Sequence, residues 1–155
     1  MKLRTKWLFL FLPGLCILSS VLHAEIVTEV GDDGTLTLES GKQVMLAGVQ
    51  MDSEGISVLR VLARKQDLKF HLIANPASPG AKELAYAYLK AKYLRFPAKR
   101  NEIPDEQEVL INEFLVKTGA AKVVEGQDFR YKDKFLKAQK EAREKGEGIW
   151  SYEVS

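Results

Sequence analysis

The chain has 155 residues, 46% of them hydrophobic and 28% charged, which is room for one ordinary domain. Its formal charge of +2 belongs to the first 24 residues, which hold Lys2, Arg4 and Lys6 and no acid; without them Lys plus Arg falls from 23 to 20 against 21 acids, a formal −1, so composition gives no argument for a nucleic-acid binder. The same segment holds Cys16, the single cysteine, and His23, one of two histidines; a mature chain with His71 alone excludes disulfides, a cysteine nucleophile, a Cys/His zinc site and any histidine pair, and nearly excludes a Ser-His-Asp triad.

In chain order, Lys2, Arg4 and Lys6 precede an apolar run from Trp7 to Leu22, and His23-Ala24 closes it. A basic start, an apolar middle and a small residue at the cut predict a secretory signal over residues 1–24 and an exported product, in a periplasm or beyond. The run is short and contains Pro13-Gly14, so cleavage is favoured over retention as an anchor, and no stable membrane span is expected afterwards. Ile26 to Val30, Thr35 to Leu38 and Gln43 to Val49 alternate and are separated by Gly/Asp turns, which predicts an antiparallel meander. Ile56, Leu59, Leu62 and Ala63 share one helical face. Leu68 to Ala74 reads as a strand, Asn75 to Gly80 as a loop, and Leu84 to Leu94 as a long strand with Tyr86 and Tyr88 on one face. Val109 to Thr118 and Gln127 to Lys145 are expected helices, each closed by a glycine. The sum is an α+β chain: a five-stranded OB-type β-barrel with three α-helices over residues 25–155.

Four segments then resemble the staphylococcal nuclease (thermonuclease) family. Asn112-Glu113-Phe114-Leu115-Val116-Lys117-Thr118-Gly119-Ala120-Ala121-Lys122-Val123 is similar to its N-E-x-L-V-x-x-G-x-A-x-V helix and strand, and Tyr131 to Ile149-Trp150-Ser151 to its last helix and G-[IL]-W end. Val44 to Val49 resembles the third strand and Leu84-Ala85-Tyr86 the fifth. The resemblance implies calcium-assisted phosphodiester hydrolysis. It implies metal-holding aspartates in D-G-D-[ST] and R-L-x-G-[IV]-D-x-P-E, a glutamate on water, and two arginines on the phosphate.

At those positions this chain carries other groups. Gly34 and Gln50 stand at the two aspartates, Ser53 at the glutamate, Met45 at the first arginine and Lys82 at the second. A neutral amide, a hydroxyl and a thioether supply neither calcium ligands of the needed charge nor a base. No catalytic and no metal-binding residue is therefore assigned, and no cofactor is expected. The alternative is a calcium-dependent extracytoplasmic nuclease with rearranged ligands, Asp33 shifted by one residue and Asp52 and Glu54 as substitutes. Against it, Asp32-Asp33-Gly34 reads as a turn, Asp52-Ser53-Glu54 as a helix cap, and His71 as packed or at a barrel edge.

Residues 89–110 are an insertion relative to the family pattern. Lys90, Lys92, Arg95, Lys99 and Arg100, with Tyr93 and Phe96 between them, are followed by Glu102, Asp105, Glu106, Glu108 and Glu113. Two readings stand: a basic aromatic arm for nucleic acid, another polyanion or an envelope protein, or a solvated hairpin neutralised by its acidic return limb. The sequence thus points to an exported nuclease-like OB-fold protein that binds rather than cleaves. Lys90, Lys92, Tyr93, Arg95, Phe96, Lys99 and Arg100 are its candidate binding residues.

Overall fold

The computed structural model describes residues 22–73, 82–94 and 103–152. Strands β1 (Leu22–Val30), β2 (Leu36–Leu38) and β3 (Gln43–Leu46) form the expected meander. Helix α1 (Ser53–Ala63) follows, then β5 (Asp67–Ile73) and β6 (Glu83–Lys90). The sheet runs β3-β2-β1-β5-β6, and parallel pairing of β3 with β6 closes it into a five-stranded barrel. Inside lie Val27, Leu36, Val44, Leu68, Phe70, Ala85 and Ala87, all buried, with Leu59 and Leu62 of α1 packed into the same core. Alternation along β2 and β5 produces this because successive side chains leave opposite faces of a strand; in β1 an irregularity between Val27 and Glu29 shifts the register, so Val27 and Val30 are both buried.

Helix α2 (Ile111–Lys117) packs on β6, and α3 (Lys132–Glu144) packs on α2. Tyr86 lies on the outer face of β6, its ring 4.7 Å from Tyr131 in an edge contact and 6.5 Å from Phe135. Trp150 is buried beyond α3, with the Arg143 guanidinium 4.6 Å and the Lys122 ammonium 5.1 Å from its ring. Leu115 and Val116 face inward as the helical spacing predicts. Among the described residues no helix is long and apolar enough to cross a membrane.

The boundaries differ from the sequence reading in instructive places. The expected run Gln43–Val49 breaks at Ala47-Gly48, and β4 (Val49–Gln50) leaves the barrel to pair with β8 (Lys122–Val123). Gly48 has φ +73°, and any Cβ there would overlap the Phe129 ring. The break thus needs a residue without a side chain. Leu84–Leu94 ends as a strand at Lys90 and turns through a 3₁₀ segment, Ala91–Tyr93. Glu108–Leu110 is strand β7, paired to β6, rather than the start of a helix; a short apolar run such as Val109-Leu110-Ile111 does not distinguish the two by periodicity. Helix α3 begins at Lys132, not Gln127, because Phe129 turns inward against Phe135, 5.5 Å between ring centres. β1 begins at Leu22, so Leu22, His23 and Ala24 pair with His71, Phe70 and Lys69. The signal cut expected after Ala24 falls within this strand. The rest of the leader and the expected loop Asn75–Gly80 lie outside the described residues.

Candidate functional site

Two places gather the residues that sequence reading singled out. The first is the β1–β2 turn. Gly31 N–H donates to the Thr35 carbonyl at 2.8 Å and Gly34 N–H to the Gly31 carbonyl at 3.0 Å, so Asp32 and Asp33 ride a tight turn. Asp33 Oδ1 accepts the Thr35 N–H at 3.0 Å. Lys82, just before β6, reaches across to Asp33 Oδ2 and to Thr35 Oγ1, each at 2.6 Å. The ammonium beside it, and then the Thr35 bonds, hold the Asp33 carboxyl well below the usual carboxylate range. Asp32 is taken by Arg60 of α1 at 2.9 Å.

Each oxygen of Asp33 therefore accepts one hydrogen bond, and the Lys82 ammonium lies directly beside the carboxylate. Gly34 has φ +80°, and a Cβ built on it would lie 3.1 Å from Met51 Cε. An aspartate in that place meets both backbone strain and the methionine. Asp52 caps α1 by accepting the Gly55 N–H at 2.9 Å. Gln50 is exposed on β4 opposite Lys122, and Met45 lies in β3 opposite Leu84. Among the described residues no group of three or more His, Cys, Asp or Glu side chains assembles as a metal site. This donor set does not fit calcium, which takes six to eight oxygens, several of them charged.

Asn112, to which the sequence assigns no role, supports this region from the core side. Asn112 is fully buried; its Nδ2 donates to the carbonyls of Ala47 (2.9 Å) and Ala85 (3.1 Å), and its Oδ1 accepts the Ala87 N–H at 3.0 Å. One amide thus ties α2 to the turn after β3 and to β6, the strand that Lys82 precedes. An asparagine at the start of an apolar helix, where apolar residues are expected, was the available signal.

The second place is the insertion. β7 pairs antiparallel with β6, Lys90 opposite Glu108 and Tyr88 opposite Leu110. Ala91 N–H donates to the Gln107 carbonyl at 2.8 Å and Lys92 N–H to the Asp105 carbonyl at 3.1 Å. The basic limb therefore runs alongside its acidic return limb. Lys90 Nζ and Lys92 Nζ converge on one carboxylate, Glu106, at 3.1 and 2.9 Å. The two ammoniums lower the Glu106 pKa, and Glu106 raises that of Lys92. Lys69 is paired with Glu108. Tyr93 is 48% exposed, with the Lys92 ammonium 5.4 Å from its ring centre. Lys90, Lys92 and Tyr93 are thus brought together, while Arg95, Phe96, Lys99 and Arg100 lie outside the described residues.

Of the Tyr86–Tyr88 pair, only Tyr88 reaches open space, where it lines a cavity of about 420 Å³ with Tyr131, Glu113 and Lys134. Tyr86 is buried, and the Tyr88 hydroxyl lies 3.2 Å from that of Tyr131. Burial, with Tyr131 beside it, pushes the Tyr88 phenol above its ordinary range. His71 is half-buried, its ring centre 6.3 Å from that of Tyr86.

Comparison with known proteins agrees with this geometry. A family model described as staphylococcal nuclease homologue matches residues 80–152, from the approach to β6 through Trp150. No curated protein matches the chain. The closed five-stranded barrel with its three helices is a staphylococcal nuclease-like fold, and its C-terminal segment, residues 80–152, is similar to that family's model.

Proposed function

We propose that this protein is an exported nuclease-like module that binds a polyanion without cleaving it and without calcium. The observation carrying this reading is the clamp at the barrel mouth: Lys82 on Asp33 and Thr35, each at 2.6 Å. Phosphodiester hydrolysis needs a dication or equivalent charge at the phosphate and a base for water. The clamp supports a different use of those residues. The one cation at a matched arginine position is spent on an internal carboxylate, and that carboxylate is the nearest candidate ligand. Gly34, Met45, Gln50 and Ser53 supply no substitute charge.

Binding is assigned to the insertion, where the family pattern has only a short turn and where cations and an exposed ring meet. The Trp7–Leu22 run supports export. The test incubates the purified protein with supercoiled plasmid in calcium, magnesium or manganese. Plasmid is expected to stay intact in all three. Metal-dependent nicking that disappears in Asp33→Ala would overturn this reading and establish a nuclease with rearranged ligands.

A further inference from the structure

The insertion holds an anion site that is already filled from within. The 3₁₀ turn Ala91–Tyr93, the two backbone bonds that join it to 104–107 (Ala91 to Gln107, Lys92 to Asp105) and the turn closed by Gln107 to Pro104 place Glu106 between two ammoniums. Each of its oxygens takes one lysine, Oε2 from Lys90 at 3.1 Å and Oε1 from Lys92 at 2.9 Å. The two unesterified oxygens of a phosphodiester present a comparable fork, so a site that fits this carboxylate fits a backbone phosphate as well. Tyr93 follows immediately and is exposed beside Lys92. An aromatic ring one residue from a phosphate-sized cation pair is the arrangement that holds a base and its phosphate together in single strands. Leu94 is buried, which anchors the end of the turn in the core.

We propose that Lys90, Lys92 and Tyr93 form a docking site for single-stranded nucleic acid, and that Glu106 occupies it in the free protein as an intramolecular competitor. This rests on the binding reading above and deepens it by naming partner and regulation. Glu106 is highly exposed, its side chain at 71%, so its ion pairs are exchangeable rather than structural. A strand must displace it to bind, which keeps affinity low and holds the salt dependence below that of two unpaired lysines.

The experiment measures binding of the full chain to a fluorescent oligothymidylate and to heparin across a salt series. The variants are Glu106→Gln, Lys90→Ala/Lys92→Ala, and Tyr93→Ala. Glu106→Gln removes the competing charge at constant shape and is expected to tighten oligothymidylate binding by roughly fivefold at low salt, the scale of exposed ion pairs. It should also steepen the salt slope by about one phosphate contact, ~0.7 on a log–log plot. The double lysine variant should abolish the gain when combined with Glu106→Gln. Tyr93→Ala should weaken oligothymidylate and spare heparin. Equal binding by wild type and Glu106→Gln, with loss in the lysine variant, would overturn the competitor role and leave the binding reading standing. No binding by any form would overturn both. A Tyr93→Ala variant that binds oligothymidylate as wild type does would remove nucleic acid as the partner. Unchanged unfolding temperatures in all variants separate these outcomes from misfolding.

Discussion

The barrel mouth and the insertion each pair lysine with carboxylate at the surface, yet the two pairings do different work. At the mouth, Lys82 reaches Asp33 and Thr35, 49 and 47 positions earlier in the chain. It ties the β1–β2 turn to the start of β6, and Asn112 pins the same strand from the core side. In the insertion, Lys90 and Lys92 meet a carboxylate only 16 and 14 positions away on the same hairpin. Losing the first contact loosens two distant elements, whereas losing the second frees two cations and disturbs no packed core. Both pairs are solvent-exposed, but the first joins elements far apart in the chain while the second lies within one hairpin and is available for exchange.

The sharpest break in this contrast comes at Asn112. Asn112→Ala takes this partner from the buried Ala47 carbonyl and Ala87 N–H, each loss costing about 1–3 kcal/mol, while the Ala85 carbonyl keeps the Ala47 N–H. Chemical denaturation should show a loss of at least about 2 kcal/mol, while oligothymidylate binding by the remaining folded protein should stay near wild type. If affinity fell in step with stability, the two regions would not be separable.

Gly34→Asp, which writes the family's aspartate back into the turn, should cost about 1–2 kcal/mol because φ is +80° and Met51 crowds the position. Thermal unfolding with and without calcium measures it, and no calcium-dependent stabilisation is expected. A calcium-dependent rise would mean that the mouth still tolerates a cation despite Lys82.

Asp33→Asn should have a smaller effect, no more than about 1 kcal/mol near neutral pH, since the Asp33 side chain is 56% exposed and solvent screens its pair with Lys82. The folded carboxyl has a depressed pKa, so its contribution is present above the unfolded carboxylate range and is lost as pH falls through the folded value. Melting temperatures of wild type and Asp33→Asn should therefore differ at neutral pH and converge in acid. A gap that widened as pH fell would contradict the pairing. Smallest of all, Lys90→Ala/Lys92→Ala should leave the melting temperature unchanged within error.

Much of the fold was legible in the sequence. Two-residue alternation in Thr35–Leu38, helical spacing of Ile56, Leu59 and Leu62, and the Asn112–Val123 and Gly148–Trp150 segments record burial directly in residue order. That is why the barrel, three helices and family resemblance could be read without coordinates. The missed boundaries have local causes that a pattern of apolar residues does not carry. Gly48 was read as an interior strand residue because only the Phe129 ring above it reveals a turn. Val109 and Leu110 fit either period.

The candidate site divides the same way. The family resemblance implies charged groups at positions 34, 45, 50 and 53, and the residue order gives Gly34, Met45, Gln50 and Ser53 there, which carry none. The chain order also displayed five cations followed by acids in the insertion. Only tertiary structure decided which charges meet: Lys82 with Asp33, and Lys90 and Lys92 with Glu106 rather than with Asp105 or Glu108. Pairing across strands follows from register and from the turn that reverses the chain. A shift of one residue moves every side chain to the opposite face. Residue order specifies the charges available; the closed sheet and its turns determine which of them meet as ion pairs.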